Sequence, residues 1–389
     1  MSTAALLLVV LAPAPASGQS ACDNTSTGLI PLIDLDGGAY QGQPGGLYSG
    51  GNGLTDQALE LGLARAAMVT PLGVDGVAAA EGSIVMVALG VSNTLGEFKA
   101  FSALLDMAQD PRLVLVNGAQ VGQSINRWIG SRSDGTWDTV ERKLTESGVD
   151  ARQVQVAWIK MPSDDRGPAT LEDARIHAEK LENLVRLLPD HFPNIQLAYL
   201  SSRSYGGYIP GPDSEPNAYQ DGFAVRWAIE GIGTGPDIDP TQGAPELPWV
   251  GWGPYLWADG TTPRSDGLFY ECSDYQPGGV HPADGATEKI AHLLLDHFRT
   301  DPTAANWFGG QRAPTTTAGV TVTTTSPTLT LPESSSPDVV STPSTTLPLL
   351  AEEDVPSERS NLGPIVAAIA GLVIGVVGIR LFQSRRSGP

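Results

Sequence analysis

Ser92 is the first residue of this sequence whose setting suggests chemistry. It follows an apolar stretch in the segment Ile84–Thr94, IVMVALGVSNT. A serine hydroxyl is a weak nucleophile and attacks a carbonyl carbon only when a neighbouring base takes its proton. A serine at this place could equally be a helix N-cap, so nucleophilic chemistry needs further residues to support it.

His281 is the candidate base, because it lies in a loop, within GGVHPADG, just before a helical pattern. A single loop histidine is more often structural than catalytic, which leaves both interpretations open. Amphipathic helical patterns contain or adjoin the other four histidines, where a solvated or packed imidazole is expected: His177, His191, His292 and His297.

Gly122 belongs to a third segment that could take part in the same reaction. The segment LVLVNGAQVGQS leaves an apolar run through Gly118 and Gly122. Glycines at such a turn let backbone N–H groups approach a ligand closely. Those N–H groups could stabilise the negative oxygen that forms when a nucleophile attacks a carbonyl group.

An alternation of strands and helices is needed to bring these segments together. Short apolar runs typical of strands buried on both faces are Ile84–Leu89, Leu113–Val116, Val154–Ile159 and Ile195–Leu200. Helical periodicity is found at Leu95–Ala108, Trp137–Ser147, Leu171–Leu188 and Gly285–Phe298. In the third helix we expect Thr170 as N-cap, Asp173 in a capping box, and Pro189 as the end.

This alternation predicts an α/β protein, a three-layer α/β/α sandwich around a central parallel sheet, flavodoxin-like in outline. Ligands of such sheets bind beyond the carboxyl ends of the strands. Ser92 and Gly122 follow the first and second predicted strands, so both are expected at that edge.

The three segments together resemble the SGNH or GDSL-like serine hydrolases, over most of Ile84–Phe298. GVSNT is similar to the first block of that family, VNGAQVGQS to the second, and GGVHP to the last. GLIPLIDLDGGAYQGQPGGLY and LAYLSSRSYGGY further resemble a bacterial branch of the superfamily. The resemblance implies an esterase with Ser92 as nucleophile, His281 as general base, and the N–H groups of Ser92 and Gly122 as oxyanion hole.

Three positions depart from the pattern of that family. Val91 stands where an aspartate usually precedes the nucleophile, which affects the turn more than the chemistry. Gly278 occupies the usual place of the aspartate that orients the histidine, so either Asp274 or a backbone carbonyl is expected to hold the ring of His281. Lys160 follows the third strand where an oxyanion-binding asparagine is usual; its ammonium could bind an oxyanion or an acidic substrate, or simply face solvent.

A long insertion, from Ser201 to Val280, separates the last predicted strand from His281. It contains an aromatic group that could form a lid or a sugar-stacking wall, or else a well-packed irregular region. The aromatic residues are Trp249, Trp252, Tyr255 and Trp257. The residues of the insertion that we expect to line a substrate site are Arg203, Tyr205 and Trp257.

The two ends of the sequence indicate a cell-surface protein. Residues 1–18 read as a signal peptide, residues 22–312 as the hydrolase domain, and residues 313–360 as a Thr/Ser/Pro-rich stalk. Residues 362–382 are predicted to span a membrane, and residues 383–389, with two arginines, to lie inside the cell.

Cys22 and Cys272 both fall in the exported region, where a disulfide between them is plausible and would contribute on the order of 4 kcal/mol. The alternative is that Cys22 carries a lipid.

The net charge of −20 argues against a nucleic-acid partner, whose phosphates would be repelled. No pair of histidines stands at zinc-ligand spacing in an otherwise polar site, and we expect neither a metal nor a cofactor. Two hypotheses follow: a membrane-anchored serine esterase acting on carboxylic esters, including acyl groups on glycans, or a surface glycan-binding module on the same fold. The sequence does not indicate an oligomeric state.

Overall fold

The computed structural model describes residues 19–35, 37–105, 110–131, 133–163 and 169–309. These residues belong to one compact unit. The strands are β1 (Ala39–Tyr40), β2 (Gln43–Pro44), β3 (Ile84–Gly90), β4 (Leu113–Asn117), β5 (Val154–Lys160), β6 (Leu197–Leu200) and β7 (Trp249–Trp252). The α-helices are α1 (Asp56–Met68), α2 (Ser92–Ala103), α3 (Ile125–Ile129), α4 (Asp134–Glu146), α5 (Leu171–His191), α6 (Asn217–Ile232), α7 (Asp284–Thr300) and α8 (Ala305–Phe308).

Within the described residues, the main sheet has five strands in the order β4-β3-β5-β6-β7, and every neighbouring pair is parallel. Counted along the chain, this order is 2-1-3-4-5, the doubly wound order of flavodoxin. All residues of β3 and β5 are buried, as their continuous apolar runs predict. β1 and β2 form a separate short hairpin.

Helices cover both faces of this sheet. One layer contains α1, α2, α7 and α8, with α2 packed along α7; the other contains α3 to α6, with α5 packed along α6. The predicted fold class, a three-layer α/β/α sandwich with a central parallel sheet, is confirmed. Because the strands are parallel, their carboxyl ends lie at the same edge of the sheet, between the two helix layers. This is the edge at which Ser92 was predicted to lie.

The elements differ from the sequence prediction mainly inside the insertion and at one proline. The insertion supplies α6 and the edge strand β7, and α1 lies in a segment without a predicted element. The capping box of α5 is confirmed, since the Asp173 N–H donates to Thr170 Oγ1 at 3.1 Å and the Thr170 N–H to Asp173 Oδ2 at 3.0 Å. The predicted end at Pro189 is wrong by two residues, since the helix runs on to His191, and the Phe192 N–H still donates to the Leu188 carbonyl at 2.7 Å.

The predicted signal peptide, stalk, membrane helix and cytoplasmic tail lie outside the described residues. Among the helices that the structure does describe, none is both long enough and apolar enough to cross a membrane.

The predicted disulfide between Cys22 and Cys272 is present, with their Cα atoms 5.3 Å apart. It holds the segment that begins at residue 19 against the insertion, and the sulfur of Cys22 is therefore not free for a lipid.

The carboxylate of Asp259 strengthens the attachment of this N-terminal segment to the insertion. It accepts hydrogen bonds from the hydroxyl of Ser26 at 2.5 Å and from the N–H and hydroxyl of Thr27, both at 2.6 Å.

His297 links the fold to pH, because its half-buried imidazole packs against the aromatic rings of Tyr199 and Phe298 and its Nε2 atom is fully buried. Burial lowers the pKa of His297 to about 4, from 6.5. Between these values the unfolded chain takes up a proton that the folded chain does not, so the free energy of unfolding falls as the pH drops from about 6.5 towards 4.

We expect His297→Leu to remove this part of the pH dependence. Between pH 7 and pH 4, the free energy of unfolding of the wild-type protein should fall by about 3 kcal/mol more than that of the variant, as measured by urea unfolding at each pH. His292→Leu, an exposed position on the same helix, is the matched control and should keep the wild-type slope. Equal slopes for wild type and His297→Leu would show that His297 does not titrate in this way.

Candidate active site

Ser92 is the first residue of α2 and lies two residues beyond the end of β3. The N-cap of this helix is Val91, and no side chain caps it. Capping therefore does not account for the serine. Its side chain is half-buried at the carboxyl edge of the sheet, where doubly wound proteins bind their ligands.

The turn into α2 is held tightly against β5. A Cβ atom on Gly90 would overlap both Thr94 Oγ1 and the carbonyl oxygen of Lys160, so only glycine fits at this position. The space that a side chain at position 90 would fill is occupied by Thr94, whose Oγ1 donates a hydrogen bond of 2.7 Å to the Lys160 carbonyl. The position of Ser92 is thus set by packing between two central strands.

His281 lies beside Ser92 although 189 residues separate them: Ser92 Oγ is 3.5 Å from His281 Nδ1. The ring belongs to an exposed loop leading into α7. The Gln276 N–H donates to the His281 carbonyl at 2.8 Å, and Tyr275 forms an isolated antiparallel bridge with Pro282. These backbone bonds fold the loop back on itself so that the imidazole faces α2.

Asn93 connects the two residues, and it was not among the candidates chosen from the sequence. Its Oδ1 is 2.7 Å from His281 Nδ1, and its Nδ2 donates to the carbonyl oxygen of Val280 at 3.0 Å. The only sequence signal was its place next to the serine in GVSNT. Asparagine is common in turns for local reasons, so that signal could not reveal a partner in another loop.

Gly122 lies in the exposed loop after β4, in the left-handed region with φ +70°. The Gln120 N–H donates to the carbonyl oxygen of Gly90 at 3.0 Å, which fastens this loop to the end of β3. Lys143 of α4 also holds this loop, because its ammonium group donates to the carbonyls of Asn117 at 2.8 Å and Ala119 at 2.7 Å. Partial burial lowers the pKa of that ammonium group.

The Ser92 N–H is also suited to bind an anion. It is the first N–H of α2, where no earlier turn supplies an acceptor and the helix dipole is positive. The first helical turn and the loop of Gly122 thus lie on the same side of the end of β3.

Asp274 does not orient His281 in this structure. Its Oδ2 accepts hydrogen bonds from Lys289 Nζ at 2.5 Å and from the Glu271 N–H at 2.8 Å. The carboxylate caps a short turn and pairs with α7. Position 278, the usual place of the orienting aspartate, is a glycine with φ +95° whose N–H donates to Ser20 Oγ.

Lys160 differs from its expected role as well. Its ammonium group forms an ion pair of 2.5 Å with Glu97 Oε1, and the two side chains are only 3% and 0% exposed. A buried ammonium already held by a carboxylate is not available to an oxyanion at the surface. The pair instead joins α2 to the end of β5.

The aromatic residues of the insertion form core rather than a wall around the site. Tyr205 is buried, and its hydroxyl donates to the Asn24 carbonyl at 2.7 Å. Trp257 is fully buried, and its indole N–H donates to Glu215 Oε1 at 2.8 Å. The remaining aromatic residues of the group are also buried: Trp249, Trp252 and Tyr255.

The third expected substrate-binding residue, Arg203, is half-buried, and its backbone N–H donates to Asp221 Oδ2 at 3.0 Å. A role in contacting substrate therefore does not fit Tyr205 or Trp257, and for Arg203 it stays a prediction. Burial also raises the pKa of the Glu215 carboxyl that accepts the indole hydrogen bond.

In residues 19–309, as far as they are described, His, Cys, Asp and Glu side chains form no group of three able to hold a metal ion.

No protein-family model matches the chain, and no curated protein matches it in sequence. Among solved structures it is similar to a Bacillus subtilis protein, with 12% identity over 56% of each chain and a TM-score of 0.34. It is also similar to a carbohydrate esterase family 3 protein from Talaromyces cellulolyticus, with 13% identity over 54% of this chain and 94% of that one, TM-score 0.30. A third is a carbohydrate acetylesterase from Xanthomonas citri, with 13% identity over 56% of each chain and a TM-score of 0.30.

The chain thus covers just over half the length of the Bacillus and Xanthomonas proteins. Identities and scores of this size say nothing of the reaction or the substrate. The strand order of the sheet agrees with the fold that the sequence resemblance implied.

We expect the buried Lys160–Glu97 ion pair to show a measurable coupling free energy in a double-mutant cycle of protein stability. Lys160→Met leaves a carboxylate buried without a partner and should lower the free energy of unfolding by about 3–5 kcal/mol. Glu97→Leu should cost a similar amount, and the double variant should recover most of the loss. Urea unfolding of the three variants and the wild type completes the cycle. Simply additive losses would contradict a direct interaction between the two side chains.

Proposed function

We propose that this protein is a serine esterase, with Ser92 as nucleophile and His281 as general base. The observation that supports this most directly is the distance of 3.5 Å between Ser92 Oγ and the imidazole of His281, at the carboxyl edge of a doubly wound sheet. Nucleophile and base within reach of each other are what activation of a serine hydroxyl requires.

In the proposed reaction, Ser92 Oγ attacks the carbonyl carbon of an ester while its proton passes to His281. The carbonyl electrons move to oxygen, and the N–H groups of Ser92 and Gly122 donate to the oxyanion that results. His281 then returns the proton to the alcohol oxygen as the carbon–oxygen bond breaks. Water, activated by the same imidazole, releases the acid from the acyl-enzyme.

The substrates proposed are carboxylic esters, including acyl groups carried on glycans. The proposal is supported by the exposure of the site: His281 lies on the surface and Ser92 is half-buried. An acyl group attached to a large molecule can reach such a site without the molecule entering a deep cavity.

A non-catalytic glycan-binding module is less well supported than an esterase. It was motivated by the absent aspartate at position 278, by the Thr/Ser/Pro-rich stalk and by the aromatic group of the insertion. The rings of that group are packed in the core, where a sugar cannot stack on them. Binding to polysaccharide that persists in Ser92→Ala, without ester turnover by the wild type, is the result that would favour it.

Ser92→Ala should abolish labelling by a fluorophosphonate probe and lower kcat/KM for a short-chain aryl ester by about 10³-fold or more, because the nucleophile is lost. Ser102→Ala, on the same helix, is the control; the Ser102 hydroxyl donates to the Phe98 carbonyl of its own helix, at 2.8 Å. A panel of acetylated sugars and fatty-acyl esters identifies the preferred substrate. Equal labelling of wild type and Ser92→Ala would rule out this nucleophile.

We further propose that the domain of residues 22–312 works outside the cell, anchored by residues 362–382. The Cys22–Cys272 disulfide supports an oxidising compartment. On cells expressing the full chain, a membrane-impermeant amine reagent should label the domain, and a chain ending at residue 361 should be found in the medium. Retention of that shortened chain in the cytosol, with both thiols free, would contradict the proposal.

A further inference from the structure

The imidazole of His281 needs a partner other than a carboxylate if it is to work as a base. Position 278 has no side chain, and the Asp274 carboxylate is held by Lys289 and the Glu271 N–H. In histidine-dependent serine hydrolases, a fixed acceptor on one ring nitrogen decides which nitrogen is left to take the serine proton. Among the described residues, the side chains of Asn93 and Ser92 contact Nδ1 of His281.

The orientation of the Asn93 amide follows from its second contact. Its NH₂ group must face the Val280 carbonyl, since a carbonyl oxygen can only accept, and the distance is 3.0 Å. The amide oxygen therefore faces His281 Nδ1 at 2.7 Å. An oxygen acceptor at that distance requires the proton of the neutral ring to be on Nδ1.

The geometry points to Asn93 as the positioning residue of this site: it fixes His281 in the Nδ1–H tautomer and leaves the lone pair on Nε2. The tautomer follows from the geometry alone, and only the role of Nε2 as catalytic base rests on the proposed esterase function. Nδ1 cannot take the proton of Ser92 while it donates to Asn93. The 3.5 Å distance between Ser92 Oγ and Nδ1 therefore places the ring beside the nucleophile, and the proton transfer itself needs Nε2.

For proton transfer the ring must tilt about its bond to Asn93 until Nε2 meets Ser92 Oγ. The O–H bond of Ser92 then breaks as an N–H bond forms on Nε2, and the imidazolium keeps its Nδ1–H bond to the amide oxygen. Hydrogen bonds of catalytic groups are often long before substrate is bound and shorten in the reacting complex. Because Asn93 also holds the Val280 carbonyl, the same side chain keeps the loop in place during the tilt.

The tautomer can be measured without any activity assay. The full chain, labelled with 15N-histidine, has five imidazoles, and comparison with His281→Gln identifies the signals of His281 in a long-range 1H–15N spectrum. At a pH where the ring is neutral, we expect a protonated Nδ1 and an unprotonated Nε2 in the wild type. A wild-type ring protonated on Nε2 overturns the inference, whether or not any variant folds.

Three variants separate the acceptor from a merely structural role. Asn93→Ala should shift the ring of His281 away from the Nδ1–H tautomer and lower kcat by about 10²-fold with little change in KM. Asn93→Asp keeps the oxygen acceptor and loses the NH₂ donor, so it should keep the tautomer and recover most of kcat. Asn52→Ala is the matched control, because Asn52 joins the Ile33 carbonyl and the Leu47 N–H in a loop of the first 55 residues.

The results distinguish this inference from the proposed function. If Asn93→Ala shifts the tautomer of His281 but the wild-type protein hydrolyses no ester, the positioning role is supported and the proposed esterase function is refuted. Ester turnover with an unchanged tautomer in a folded Asn93→Ala overturns the positioning role and leaves the esterase standing. Loss of the Nδ1–H tautomer in Asn52→Ala as well would also overturn it, since the effect would then be a general one.

Discussion

The carboxyl ends of β3 and β5 lie so close together that no side chain fits at Gly90, and the candidate site depends on this constraint. With that glycine in place, Thr94 reaches the Lys160 carbonyl, and α2 starts directly above the gap between the two strands. The buried Lys160–Glu97 pair joins the same two elements one turn further along α2. Ser92 is therefore presented by a rigid part of the molecule, as catalysis by a single hydroxyl requires.

Two loops from distant parts of the chain are attached to that rigid centre. The loop of Gly122 is fastened by the Gln120 N–H to the end of β3, and the loop of His281 is fastened by Asn93 to the first turn of α2. Both attachments reach residues within two positions of Ser92, Gly90 and Asn93. Because neither loop lies in a strand or helix, their positions depend on a few hydrogen bonds rather than on broad packing.

The residues whose expected roles did not fit share a physical reason. Lys160, Tyr205 and Trp257 carry groups that are chemically suited to a site, yet each side chain is itself buried and its polar group is already bound to a partner within the protein. Burial of a polar group demands such a partner, and a group so held is not free for a ligand. Asp274 is similar, since the nearby Lys289 ammonium is a better partner for a carboxylate than a neutral imidazole would be.

The sequence by itself determined the alternation of strands and helices, and hence the parallel sheet, because continuous apolar runs and helical periodicity are local properties. It also indicated Ser92, Gly122 and His281, since each follows or precedes an element in a way that is readable along the chain. It did not reveal Asn93, whose partner is 188 residues away, nor β7, whose residues looked like a loop. Only the tertiary structure decided which polar side chains are held in the core and which meet at the sheet edge, because that depends on contacts between residues far apart in sequence.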